Sequence, residues 1–130
     1  DRIDIFTETI ILKYGEISNS DKGENSYDVR KRIEKVHHIQ KERYKNDGIL
    51  FNSELSAGMI KRYCVMDNEA KEYLENIFEN MEFSARAYHK VLKTARTIAD
   101  MDESGEIKRK HISEAVCYRT ADKKYWGVTM

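Results

Sequence analysis

The hydrophobic positions of the chain follow two different periods, which divide it into two parts. Residues 3 to 12, IDIFTETIIL, form a run rich in β-branched residues, which is typical of a β-strand. A single strand is not stable alone, so we expect its partners in a short hairpin or in strands outside this sequence. The next stretch, YGEISNSDKGEN, is rich in turn-forming residues and predicts a flexible linker. We therefore separate residues 1–24 from residues 25–130.

Apolar residues spaced three and four apart take over after Asn25 and predict a series of helices, most of them behind a capping residue. Asn25 or Ser26 caps a helix from about Tyr27 to Lys45, and Ser56 caps a short helix that ends at Tyr63. The other predicted helices are one after Asp67, one after Ser84, and a last one that carries Ile112, Ala115, Val116 and Tyr118. The fold class is therefore mainly α, a compact bundle of four or five helices preceded by one strand and a flexible linker.

Composition is typical of a soluble globular chain, and we expect the protein in the cytoplasm. Hydrophobic residues make up 40% and charged residues 35% of its 130 residues, and no run is long enough to cross a membrane. The formal net charge is zero, so no overall basic field favours nucleic-acid binding. Cys64 and Cys117 show no C-x-x-C spacing, and we expect two buried free thiols. The chain opens on its strand without a start Met or a signal segment, and we interpret it as part of a longer protein.

Several residue types that often carry chemistry do not form a recognisable site here. His37, His38 and His89 have no Cys or carboxylate at a ligand spacing, so we predict no metal site. No Ser-His-Asp or Cys-His arrangement follows from the order of residues. Aromatic residues near the end of the chain either stack on bases or fold back onto the bundle: Tyr118, Tyr125 and Trp126.

The helix after Ser84 places one arginine away from its own apolar face. At about 100° per residue, the apolar side of residues 85–99 centres on Tyr88, with Ala85 within it, and Arg86 projects almost opposite, in the first helical turn. One interpretation is a solvated basic face. The other interpretation is that Arg86 binds a partner, because a cation in a first turn is unfavourable with the helix dipole. A phosphate there would satisfy both the guanidinium and the exposed amides.

Several motifs in sequence order resemble one protein family. The runs FSARAYHKVLKTARTIADMD, EIKRKHISEAVCYR and DKKYW, together with DRIDIFTE, VRKRIEKVHHIQKERY and FNSEL further upstream, are similar to the C-terminal region of magnesium-chelatase-like AAA+ ATPases of the ComM/YifB type. The resemblance covers nearly the whole chain. It implies that residues 1–24 end the nucleotide-binding core and that residues 25–130 form the helical lid of the AAA+ module.

The resemblance also implies roles for two arginines. Arg86, in SARAY, resembles the sensor-2 arginine, which reaches from the lid to the γ-phosphate of ATP bound by its own subunit. Arg2, in DRID, resembles the arginine finger that touches ATP on a neighbouring subunit, a catalytic role. Both tasks use a planar cation to stabilise charge on the transferred phosphoryl group.

Two functional hypotheses follow. In the first, the chain is the lid and subunit-contact domain of a ring-forming AAA+ ATPase. Its partners are then the core of the same chain and the neighbouring subunits. DNA is a further partner, through a DNA-remodelling activity such as branch migration. No membrane is involved. ATP and Mg²⁺ are then bound by the core, because no G-x-x-x-x-G-K-[ST] loop occurs in these residues. In the second, the chain is a freestanding helical module that binds a protein or DNA without catalysis.

Overall fold

The computed structural model describes residues 25–125, with side chains as far as Arg119. Five helices follow one another: α1 Ser26–Arg43, α2 Ala57–Tyr63, α3 Asn68–Asn80, α4 Ala85–Met101 and α5 Arg109–Tyr125, with a short 3-10 turn, Asn52–Glu54, between α1 and α2. The described part is therefore mainly helical, as predicted. The strand predicted over residues 3–12, the linker and the boundary at residue 24 lie outside the described residues.

Side-chain caps begin four of the helices where the sequence predicts them. The capping oxygen accepts a backbone N–H three residues on in each case: Asn25 from Asp28 at 2.9 Å, Ser56 from Met59 at 3.3 Å, Asp67 from Ala70 at 2.8 Å and Ser84 from Ala87 at 3.1 Å. Each bond satisfies one of the amides that a helix start leaves without a partner. The caps therefore determine where the helices begin.

α1 ends at Arg43, two residues earlier than predicted. Tyr44 follows it as a fully buried residue, and its hydroxyl donates to Asn52 Oδ1 at 2.5 Å. The chain then turns through Gly48, whose positive φ of 74° suits a residue without a Cβ. The helix therefore ends directly before the buried Tyr44 and the turn that contains Gly48.

α4 is the central helix of the bundle. α1, α2 and α5 pack against it, and α3 packs against α5. A parallel β-bridge between Met66 and Ile107 joins the segments before α3 and α5, with the Ile107 N–H donating to Val65 O at 2.8 Å. Small buried side chains on α4 let its neighbours approach closely: Ala87, Ala95 and Ala99.

The buried face of α4 agrees with the predicted apolar side of residues 85–99 in part. Four apolar residues of that side are buried: Val91, Leu92, Ala95 and Ala99. Ala85, predicted in the core, is exposed, and Tyr88 is only half-buried, with its ring edge-on to Phe78 at 5.3 Å. Arg96 and Asp100 are buried instead. The reason is that Arg43 of α1 and Asn52 of the 3-10 turn pack on Asp100, which encloses polar positions of α4 as well.

The two cysteines have different surroundings. Cys64 is buried, and burial raises the pKa of its thiol to about 11, so it stays protonated at neutral pH. Cys117 is exposed, which corrects the prediction that both are buried. Both are free thiols. No helix within residues 25–125 has the length and apolar character that crossing a membrane requires.

Candidate functional site

Arg86 lies in the first turn of α4 with its side chain exposed to solvent. Ser84 caps the helix directly before it, through its bond to the Ala87 N–H, and the Ser84 carbonyl accepts the Tyr88 N–H at 2.9 Å. Arg86 itself forms no hydrogen bond or ion pair within the part of the chain that the structure describes. An exposed guanidinium therefore stands where the helix dipole favours an anion.

A shallow groove runs beside Arg86 between α4 and α2. One wall comes from α4 (Arg86, His89, Lys90 and Lys93), and the other from the start of α2 and the residue before its cap (Leu55, Ala57 and Ile60). No acidic residue lines it. Lys93 also donates from Nζ to the Ser53 carbonyl at 3.2 Å, which ties this wall to the 3-10 turn. The groove therefore has one wall with several cations and one apolar wall. This combination suits an anion with an organic part.

Behind the groove, α4 carries a buried carboxylate shared by two arginines. Asp100 is 1% exposed and Arg96 is 2% exposed. Arg43, the last residue of α1, donates to both Asp100 oxygens, at 3.0 and 2.5 Å, and Arg96 Nε donates to the same carboxylate at 3.2 Å. The other Arg96 N–H groups donate to the carbonyls of Gly105 at 3.0 Å and Ser104 at 2.6 Å.

Asn52 completes this network from the 3-10 turn. Its side-chain amide donates to Asp100 Oδ2 and to Thr97 Oγ1, both at 3.0 Å, and its backbone N–H donates to Gln40 Oε1 at 3.0 Å. Every buried side-chain N and O atom among the described residues has a hydrogen-bond partner. The network therefore binds α1, the 3-10 turn and α4 into one rigid support for the groove.

Sequence reasoning missed this network. The spacing of Arg96 and Asp100, four residues apart on one helix, was a usable signal for an ion pair. Their burial had no such signal, because Arg43 and Asn52 lie 57 and 48 residues away from Asp100 in sequence.

A second buried polar group lies at the start of α5. His111 is 1% exposed, and its Nδ1 accepts the Lys108 N–H at 2.9 Å. The ring proton is therefore on Nε2, which donates to Asp102 Oδ2 at 2.7 Å. The hydrogen bond from His111, helped by Lys110, lowers the pKa of Asp102 below its ordinary value. These contacts secure the turn between α4 and α5 and lie outside the groove.

The remaining candidate residues of the sequence do not assemble into a site. His37 packs against the Phe51 ring at 4.7 Å, and His89 lies beside the Tyr88 ring at 5.9 Å. Residues 25–119 contain no group of three or more His, Cys, Asp or Glu side chains placed to hold a metal ion. Tyr118 is half-buried and donates to Glu114 at 2.9 Å. Arg2, Trp126 and the Tyr125 side chain lie outside the described residues.

Comparison with known proteins identifies the family. Residues 23–119 match the family described as magnesium chelatase, subunit ChlI C-terminal. The chain is 36% identical over 95% of its length to the uncharacterized protein YifB of Salmonella typhimurium, and 37% identical over 92% of its length to the competence protein ComM of Haemophilus influenzae. It spans 24% of the first relative and 23% of the second. The chain therefore belongs to the magnesium chelatase C-terminal family, as a C-terminal domain of the ComM/YifB type.

Proposed function

We propose that this chain is the lid and subunit-contact domain of a ring-forming, magnesium-chelatase-like AAA+ ATPase. In this proposal a nucleotide-binding core of the same protein holds ATP and Mg²⁺ in the cytoplasm. The lid supplies Arg86 to the nucleotide of its own subunit, and Arg2 reaches the nucleotide of the next subunit. The similarity to ComM and YifB along nearly the whole chain supports the assignment to this type of protein.

The observation that carries the proposal is the position of Arg86. Its exposed guanidinium lies beside the capped start of α4, in a groove without acidic residues, and forms no ion pair within residues 25–119. A phosphate at this point would accept hydrogen bonds from the guanidinium and from the first amides of α4. Arg96 of the same helix, by contrast, is buried and paired with Asp100.

The proposed chemistry of Arg86 is electrostatic. Charge develops on the equatorial oxygens of the γ-phosphoryl group as it is transferred, and a fixed planar cation stabilises that charge. The buried network beneath α4 keeps the helix from moving when the phosphate binds. Because lid and core would close on the nucleotide together, ATP binding would change the angle between them, which is a route from hydrolysis to movement of DNA.

The test replaces Arg86 in the longer protein that contains the core. Arg86→Ala should lower ATP hydrolysis on the order of 10²-fold, the effect of removing one electrostatic stabiliser of a transition state. Arg86→Lys should restore little of it, because lysine lacks the planar fork. Arg30→Ala, an exposed arginine on α1, is the matched control and should leave turnover unchanged.

The same substitutions in the 130-residue chain separate function from stability. Arg86→Ala should change the free energy of unfolding by no more than about 0.5 kcal/mol, as exposed substitutions do. Tyr88→Ala, which removes a half-buried ring packed on Phe78, should cost about 3 kcal/mol. Unchanged turnover in the longer protein, or unfolding of the short chain by Arg86→Ala, would show that Arg86 has only a structural role.

A further inference from the structure

The outer face of α3 carries three glutamates along two turns, with the exposed Lys71 at its edge. Glu72, Glu75 and Glu79 are exposed and fall within about 60° of one another at 100° per residue. The buried Leu74 lies on the other side of the helix. None of the three glutamates forms a hydrogen bond or ion pair with another described residue. We call these three residues the acidic face.

The opposite charge is collected on α2 and the first half of α4. α2 carries exposed Lys61 and Arg62 and no acidic residue, and α4 carries Lys90 and Lys93 beyond Arg86. The only acidic residue of α4 is the buried Asp100. We call Lys61, Arg62, Lys90 and Lys93 the basic face.

The α4 part of the basic face points away from α3 within one copy. Tyr88 marks the side of α4 that meets α3, because its ring packs on Phe78 of that helix. Lys90 and Lys93 lie about 140–160° around α4 from Tyr88 at 100° per residue. No ion pair joins α3 to α4 among the described residues. The cations of α2 and α4 and the glutamates of α3 therefore occupy different surfaces of a chain whose formal net charge is zero.

We infer that the acidic face of one copy docks on the basic face of the next copy. The faces have opposite charge and lie on different sides, so the contact is heterologous and repeats from copy to copy, closing into a ring or continuing as a filament. The inference rests on the subunit-contact part of the proposed function and specifies its surfaces. Arg86 lies beyond the end of the basic face and takes no part in this contact, so it remains available to the nucleotide.

The contact is small, and this determines how strong it is. At 1.5 Å per residue, the acidic face extends about 10 Å along α3 and the α4 part of the basic face about 5 Å along its helix. A contact between two such short faces is far smaller than a standard stable interface. Association of the separate chains is therefore weak and depends on salt. In a larger assembly the high effective concentration of neighbouring subunits would strengthen it.

The test measures the mass of the 130-residue chain by sedimentation equilibrium without nucleotide. At an ionic strength of about 0.01 M, where charges act over about 30 Å, the mean mass should rise with protein concentration. At about 1 M salt it should return to the monomer mass of 15.3 kDa. The acidic-face variant is Glu72→Lys with Glu75→Lys and Glu79→Lys, and the basic-face variant is Lys61→Glu with Lys90→Glu and Lys93→Glu.

Each variant alone should associate at least tenfold more weakly than the natural chain, and an equimolar mixture of the two should associate again. The matched control reverses three exposed cations of α1, Arg30→Glu with Lys31→Glu and Lys41→Glu, and should keep the natural association. The inference is overturned if the natural chain stays monomeric at low salt, if the mixture does not associate, or if the control loses as much as the face variants. Because no nucleotide is present, none of these outcomes bears on Arg86.

Discussion

Asp100 is a buried carboxylate that two arginines share in the interior of the bundle. It lies between two guanidiniums: that of Arg96, four residues away on α4, and that of Arg43, which is 57 residues away in sequence and meets it only in the folded state. Burial alone would oppose the charge of Arg43, but its hydrogen bonds to Asp100 and Tyr44 outweigh burial and raise its pKa. Removing the carboxylate would leave two like charges facing each other with little solvent.

We predict that Asp100→Ala lowers the free energy of unfolding by about 3–5 kcal/mol, the cost of leaving a buried charge without its partner. Glu103→Ala is the matched control, because Glu103 also pairs with a cation of α1, Lys35, at 2.9 Å, but both side chains are more than half exposed. The control should cost no more than about 1 kcal/mol. Urea unfolding of both variants decides the matter, and equal costs would contradict a special role for Asp100.

Among the helices, α3 and α5 depend on carboxylates at the turns that precede them. Asp67 caps α3 through the Ala70 N–H, and this hydrogen bond lowers the pKa of Asp67. Asp102 accepts from His111 at the start of α5, which lowers the pKa of Asp102. The two turns also lie on either side of the β-bridge between Met66 and Ile107. Ionised carboxylates therefore hold the starts of both helices.

We predict that acid destabilises the chain through these two residues. A carboxylate whose pKa is lowered by folding stabilises the folded state above its ordinary pKa of 3.8, and this contribution is lost as the pH falls from there toward the lowered value. The temperature at the midpoint of thermal unfolding should therefore decrease as the pH is lowered from about 4 to about 2.

The double variant Asp67→Asn with Asp102→Asn should show a shallower fall over the same range, since neither amide titrates. An equally steep fall in the double variant would mean that other groups cause the acid sensitivity. Thermal unfolding followed by circular dichroism from pH 6 to pH 2 measures both.

In the whole protein, two neighbouring subunits would share each nucleotide site. Each of the two would contribute one arginine to it. Arg86 would act on the nucleotide of its own subunit and Arg2 on that of the neighbour. The chain spans 24% of the YifB relative from Salmonella typhimurium, so this arrangement concerns the longer protein. The inferred association of the acidic and basic faces would involve the same neighbours and would not require nucleotide.

We predict that Arg2→Ala in the longer protein leaves ATP binding nearly intact and lowers hydrolysis by a factor on the order of 10³ or more, as expected for an arginine finger. Mixing this variant with a subunit that cannot bind ATP should restore part of the activity, because each supplies what the other lacks. ATPase rates over a series of mixing ratios test this. Absence of rescue at every ratio would count against a shared site.

The sequence by itself determined the features that depend on neighbours along the chain. The caps Asn25, Ser56, Asp67 and Ser84 stand where the helices begin, because a cap bonds an amide only three residues away. The exposure of Arg86 was predictable for the same reason, since the direction of a side chain follows from its position in a regular helix.

Only the tertiary structure decided which polar residues are buried and where the groove lies. Arg96 and Asp100 look like an ordinary surface pair until α1 covers them with Arg43 and the 3-10 turn adds Asn52. The burial of Tyr44 and its hydrogen bond to Asn52 are likewise set by how the chain packs after α1. Contacts between residues about 50 positions apart leave no period in the sequence, because they depend on how whole helices pack rather than on the geometry of any one of them.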